Sequence, residues 1–182
     1  MEHQEFLHVF LAAPYTQWMD GAAGMIRRDR MEYLAALRDA LLGDGAAVFS
    51  AHENEEWGRA WLAPEICTPA DYLAVRRADV VCAILGSPPS PGVLVELGWA
   101  SALKKPTVLL LEREPPQLVR GLGELTQVTT VPVAPVWDTA ILAAVLTAVR
   151  GSHGCSAAES VDADGYPQTP LPFGYHLALR TA

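Results

Sequence analysis

The chain has 182 residues, 51% of them apolar and 19% charged, with a net charge of −8. That length suits one domain with a self-sufficient core, and an acidic balance without a basic stripe excludes duplex nucleic acid as a partner. A small phosphorylated ligand stays open, because a helix N-terminus holds a phosphate without net positive charge.

Leu7 to Ala13 reads as a first strand, stopped by Pro14. Asp29 to Leu42 places Met31, Leu34, Leu37 and Leu41 at helical spacing and ends at Gly43 and Gly45. Ala46 to Ser50 is a short second strand. Thr68-Pro69-Ala70-Asp71 reads as a helix start: Thr68 can cap, Pro69 fits a first turn and Asp71 can complete a capping box. Ala78 to Leu85 is apolar almost throughout, the pattern of a strand buried on both faces of a parallel sheet. Gly86 to Pro91 is a turn, and Ser90-Pro91 opens a helix to about Leu103. Pro106 to Leu111 and Gln127 to Val133 read as the fourth and fifth strands, and Thr139 to Arg150 as a closing helix.

This βαβ alternation predicts an α/β fold with a doubly wound, five-stranded parallel sheet, Rossmann-like and flavodoxin-like. Ligands of such sheets bind beyond the carboxyl ends of the strands, which directs attention to the loops after Ala13, Ser50, Leu85 and Leu111. The expected organisation is one catalytic domain over residues 1–150 and a linker and tail over 151–182, where Leu171 to His176 regains apolar character and is expected to dock. Cys67, Cys82 and Cys155 form no CxxC pair, so neither a zinc site nor a redox motif is expected. A polar N-terminus and the lack of an apolar run of about 18 residues lead to the expectation of a cytoplasmic protein with no membrane partner.

Glu96 is the most unusual residue. Its helical neighbours at three and four positions are Gly92, Val93, Trp99 and Ala100, none able to neutralise it. A carboxylate on an apolar face needs a partner or a function. Asp71 is a second candidate carboxylate, with helix capping as its other reading. Two carboxylates near one bond suit nucleophilic glycoside chemistry with separate acid/base work. Ser90 is placed as an N-cap, with Gly92 beside it where a phosphate could sit. His52, in Ala51-His52-Glu53-Asn54-Glu55-Glu56-Trp57-Gly58, reads either as a base contact or as an exposed loop residue.

Phe10-Leu11-Ala12-Ala13-Pro14, Ala78-Asp79-Val80-Val81, Gly92-Val93-Leu94-Val95-Glu96-Leu97-Gly98-Trp99-Ala100 and Lys105-Pro106 together resemble the nucleoside 2-deoxyribosyltransferase superfamily, within which the chain is most similar to the nucleotide N-hydrolases. The resemblance implies that Glu96 is the nucleophile and Asp71 the catalytic acid/base. Ser90 falls where transferases carry an Asp for the free 5′-hydroxyl and phosphate-using relatives carry Ser. A carboxylate there would repel a phosphate. Ala13, Pro14, Tyr15, Thr16 and Gln17 fall on the loop that wraps the phosphate. Thr16 replaces an Arg of that loop, leaving Arg27, Arg28 or Arg120 as the cation, and Arg120 falls on a segment lent to the neighbouring subunit, which implies a homodimer.

From the pattern alone Phe10 reads as a core aromatic; it stands where enzymes acting on 2′-deoxyribose carry Tyr, and the resemblance implies a sugar contact that admits ribose. The resemblance thus implies an N-glycosidase acting on a pyrimidine nucleoside 5′-monophosphate, CMP or a 5-substituted CMP, with no metal and no cofactor. The alternatives are a deoxyribosyltransferase and a non-catalytic nucleotide-binding module.

Overall fold

The computed structural model describes residues 6–153. In chain order, β1 (His8–Ala12) leads into a ribbon of β2 (Met19–Asp20) and β3 (Met25–Ile26). There follow α1 (Arg28–Gly43), β4 (Ala47–Phe49), α2 (Ala51–Asn54), α3 (Pro64–Arg77), β5 (Val80–Ile84) and α4 (Pro91–Ala102). The chain then forms β6 (Thr107–Leu111), α5 (Gln117–Arg120), β7 (Val128–Pro132) and α6 (Thr139–His153). Five strands form one parallel sheet in the order β4-β1-β5-β6-β7. Counted along the chain this is 2-1-3-4-5, the doubly wound order of flavodoxin-like folds, as the sequence predicts.

The central strand explains the layering. All five residues of β5 are buried. Val80, Cys82 and Ile84 join one apolar cluster with Leu34, Leu37 and Leu41 of α1 and Val145 and Val149 of α6. Val81 and Ala83 point the other way, into a cluster with Ala74 and Val75 of α3 and Val93, Leu97 and Ala100 of α4. The period of two along the strand and of three to four along the helices thus generates the two covered faces. Helix α1 ends in a Schellman motif: Gly45, at φ +89°, donates to Leu42 O at 3.0 Å, and Ala46 donates to Leu41 O at 3.1 Å.

Helix α3 departs from expectation. It begins at Pro64, behind Ala63 as N-cap, so Thr68 and Pro69 lie inside it and Asp71 does not belong to a capping box. Two proline signals compete, and the earlier one prevails: the Ile66 and Cys67 amides bond Ala63 O at 2.8 and 3.0 Å. Helix α6 continues three residues beyond the expected end at Arg150. The ribbon β2–β3 and α2 were not predicted, being too short for a periodic signal. Residues 151–153 of the expected linker belong to α6, and the rest of it and the docking segment lie outside the described residues.

The strand order reverses between β1 and β5, so the crevice of the sheet opens beyond Ala12 and Ile84. The loops that meet there follow β1 and β5.

Candidate active site

A cavity of about 360 Å³ occupies that crevice. The end of β1 and its loop contribute Leu11, Ala12, Ala13, Tyr15 and Thr16; the segment after β4 contributes Ala51, His52, Glu55 and Trp61. Cys67 and Asp71 come from α3, and Ser90, Pro91, Gly92, Val93 and Glu96 from the start of α4. A shallower depression of about 270 Å³, beside Leu111 and Pro132, contains Glu112, which pairs with Arg30 at 3.6 Å. Neither Asp71 nor Glu96 lines it, whereas both line the larger cavity.

The two loops are tied together. Gln17 Nε2 donates to Pro88 O and Pro89 O, each at 3.2 Å, and Ser90 N donates to Leu85 O at 2.9 Å, closing the turn after β5. Ser90 is the N-cap residue of α4 and Pro91 its first residue, but the Ser90 side chain makes no capping hydrogen bond. A buried hydroxyl, 3% exposed, therefore faces the cavity free of capping duty. The Gly92 and Val93 amides fall among the first N–H groups of α4, which have no intrahelical acceptor. Space is open at Gly92, where a Cβ would meet only Ser90 Oγ, at 3.9 Å. Hydroxyl, amides and helix dipole together can hold an anion.

Glu96 lies six residues along the same helix, half-buried, with Oε2 fully buried and without a hydrogen-bond partner. Burial, and secondly the Asp71 carboxylate, raise its pKa well above the usual carboxylate range. Burial and then Glu55 push Asp71 up to about 7. Glu55 is itself buried, 5% exposed, and raised by that burial. Three carboxyl groups thus share a poorly hydrated cavity and resist ionising together. Proton exchange near neutral pH and nucleophilic attack by a poorly solvated carboxylate are within its chemistry.

His52 is 2% exposed and lines the same cavity. Its Nε2 stands 3.0 Å from Pro14 O; a carbonyl only accepts, so Nε2 carries the hydrogen and Nδ1 is an acceptor. Nδ1 is buried and has no partner. Burial lowers the pKa of this imidazole to about 4, which keeps it neutral. Tyr15 stacks on His52 at 4.6 Å, and Trp61 tilts against Tyr15 at 5.1 Å, forming an aromatic column at the edge of the cavity.

Eight of the eleven sequence-predicted residues line this cavity: Ala13, Tyr15, Thr16, His52, Asp71, Ser90, Gly92 and Glu96. Phe10, Pro14 and Arg120 do not. Phe10 is fully buried one pleat below Ala12, its ring stacked on Phe49 at 5.5 Å, because alternation along β1 turns it into the core under α3 and α4. The residue expected at the sugar is therefore absent from the cavity lining. Pro14 acts through its carbonyl on His52. Arg120 pairs with Glu114 at 2.7 Å. Of the other candidate cations, Arg28 pairs with Glu32 at 2.8 Å; Arg27 pairs with Asp29 at 3.5 Å and also donates to Gln17 O at 3.4 Å, reaching the loop after β1.

Glu55, Trp61 and Cys67 also line the cavity, and no motif in the sequence singles them out. The run Glu53-Asn54-Glu55-Glu56 reads as a solvated loop, and only the fold separates Glu55, buried in the cavity, from Glu53, paired with Arg38 at 2.5 Å.

The sequence model of the nucleoside 2-deoxyribosyltransferase family matches residues 21–158. No curated protein matches the chain. Among solved structures, BlsM is 39% identical over 81% of this chain and 91% of its own, with a TM-score of 0.67. The CMP N-glycosidase BcmB of Clostridium botulinum is 31% identical over 69% of this chain and 87% of its own, with a TM-score of 0.52. A 2-deoxyribosyltransferase of Bacillus psychrosaccharolyticus, 21% identical over 74% of this chain and 94% of its own, has a TM-score of 0.50 and shares the fold.

Proposed function

This chain belongs to the nucleoside 2-deoxyribosyltransferase family, and on that premise we propose that it hydrolyses the N-glycosidic bond of a pyrimidine nucleoside 5′-monophosphate, CMP or a 5-substituted CMP, to free base and ribose 5-phosphate. The observation that carries the reading is an uncharged Ser90 at the start of α4, its side chain making no capping bond, with Glu96, its Oε2 buried and unpartnered, six residues further on. Six residues span about 9 Å of helix, so a phosphate held at Ser90 and the Gly92 and Val93 amides would set the sugar over Glu96. Likeness to a CMP N-glycosidase supports the choice of substrate.

In the first step a Glu96 oxygen attacks C1′, the bond from C1′ to the base nitrogen breaks, and Asp71 gives its proton to the departing base. In the second step the Asp71 carboxylate takes a proton from water. The water oxygen attacks C1′ and releases Glu96, and both side chains return to their starting states. An Asp71 pKa near 7 suits a group that gives and takes a proton at neutral pH. The remote phosphate supplies orientation at the reacting carbon. These steps call for no cofactor.

On the same reading the protein works in the cytoplasm as a homodimer, with Arg120 offered to the neighbouring site. Among the described residues no helix is long and apolar enough to cross a membrane. The family's own name favours a second reading, transfer of deoxyribose between bases; Ser90 in place of an acid disfavours it, since a transferase takes a free 5′-hydroxyl. Incubation with ribo- and deoxyribonucleotides and nucleosides, with and without a second free base, separates the two. Free base and ribose 5-phosphate, with no new nucleoside, is the expected result; a new nucleoside in the presence of acceptor base would establish the transferase.

A further inference from the structure

The steps above leave one part of the cavity unused. His52 and Glu55 stand three residues apart on one side of the short turn after β4, both lining the cavity and both nearly inaccessible to solvent. His52 Nδ1 is a buried acceptor with no donor. A buried acceptor left unmade is costly unless a ligand supplies the donor. Its neighbour in the cavity is a carboxylate, which also only accepts when ionised. The aromatic column of Trp61, Tyr15 and His52 borders the same space and offers ring faces to a planar ligand.

We propose that His52 Nδ1 and the Glu55 carboxylate form the subsite that reads the base, accepting the two hydrogens of an exocyclic amino group and so selecting a 4-aminopyrimidine over its 4-oxo counterpart. A 4-oxo group would aim its lone pairs at two acceptors, leaving all three unpaired and repelling. Tyr15 covers the His52 ring, so the imidazole meets the base by its edge. The proposal rests on the nucleotide N-glycosidase reading for where the base lies: with the phosphate at Ser90 and the sugar at Glu96, the base falls on the side of the cavity lined by α2 and Trp61.

Dissociation constants measured by calorimetry on the slow variant Glu96→Gln test it. The ligands are CMP, UMP and N4,N4-dimethyl-CMP, with deoxycytidine and deoxyuridine alongside. CMP should bind at least about tenfold more tightly than UMP, and dimethylation, which removes both hydrogens, should bring CMP down to the level of UMP. Adding Glu55→Gln should collapse the CMP to UMP ratio by about tenfold with the melting temperature retained, because the amide can turn its NH2 toward a 4-oxo group. Dimethyl-CMP binding as tightly as CMP would overturn the subsite, as would a folded Glu55→Gln protein with an unchanged ratio. Tight deoxycytidine with weak deoxyuridine, and no nucleotide binding, would uphold the subsite while refuting the nucleotide reading. Failure of all five ligands to bind would overturn both.

Discussion

Gly86 lies against Pro14 at a separation that admits no side chain: at φ +83°, a Cβ placed on Gly86 would stand 2.6 Å from Pro14 Cγ. This contact seats the loop after β5 on the loop after β1, and Pro14 O in turn orients His52. Two loops distant in sequence are thereby held as one rim, to which Gln17 adds its bonds to Pro88 O and Pro89 O.

Gly86→Ala should therefore damage stability and site together. The left-handed φ and the clash with Pro14 should cost about 1–3 kcal/mol. Turnover per folded molecule should also fall, because Ser90 and His52 both hang on this rim. Chemical denaturation and activity at matched folded fraction check it; wild-type values for both would show that the loops are not coupled.

Asp71→Asn should separate stability from function in opposite directions. Asp71 is in the interior of α3, so no cap is lost. Its folded pKa, about 7, lies above the ordinary value of 3.8. Folding then takes up a proton between those values, and stability falls as pH rises from about 4 to 7. The neutral Asn escapes this penalty and should raise stability at pH 8 by about 1–3 kcal/mol. It should also lower turnover at least about a hundredfold. Relieved of the like charge, Glu96 should ionise at lower pH, so the acid limb of the residual activity should move down. A variant less stable at pH 8 with normal turnover would refute the proposed role.

Much of this site was legible in the sequence, and the reasons differ by residue. Glu96 stood out because a helix face of Gly92, Val93, Trp99 and Ala100 gives a carboxylate no partner, and the structure indeed leaves Oε2 without one. The sheet was legible because β5 is apolar on both faces. The position of Phe10 at the carboxyl end of a strand fits a ligand contact and a core residue equally, and only the pleat decides. Glu55 was hidden among exposed acids, since burial of one member of a polar run depends on where α2 and the segment after it fold. The start of α3 is not legible locally, because Pro64 and Pro69 are both valid openings and local propensity does not choose between them.

Ser90→Asp should shift ligand preference from nucleotide toward nucleoside. A carboxylate at the start of α4 would oppose a phosphate at close range while bonding a free 5′-hydroxyl. CMP affinity should fall at least tenfold, about 1.4 kcal/mol, and the ratio of cytidine to CMP turnover should rise. Unchanged CMP affinity would mean that the phosphate is held elsewhere.

The most direct test of the central claim follows CMP and its products in wild type and Glu96→Gln. Wild type should release cytosine and ribose 5-phosphate in equal amounts. Glu96→Gln should keep the melting temperature, or raise it by removing a buried acid, and lose at least about a hundredfold in rate. Near-normal release of cytosine by a folded Glu96→Gln protein would contradict the account.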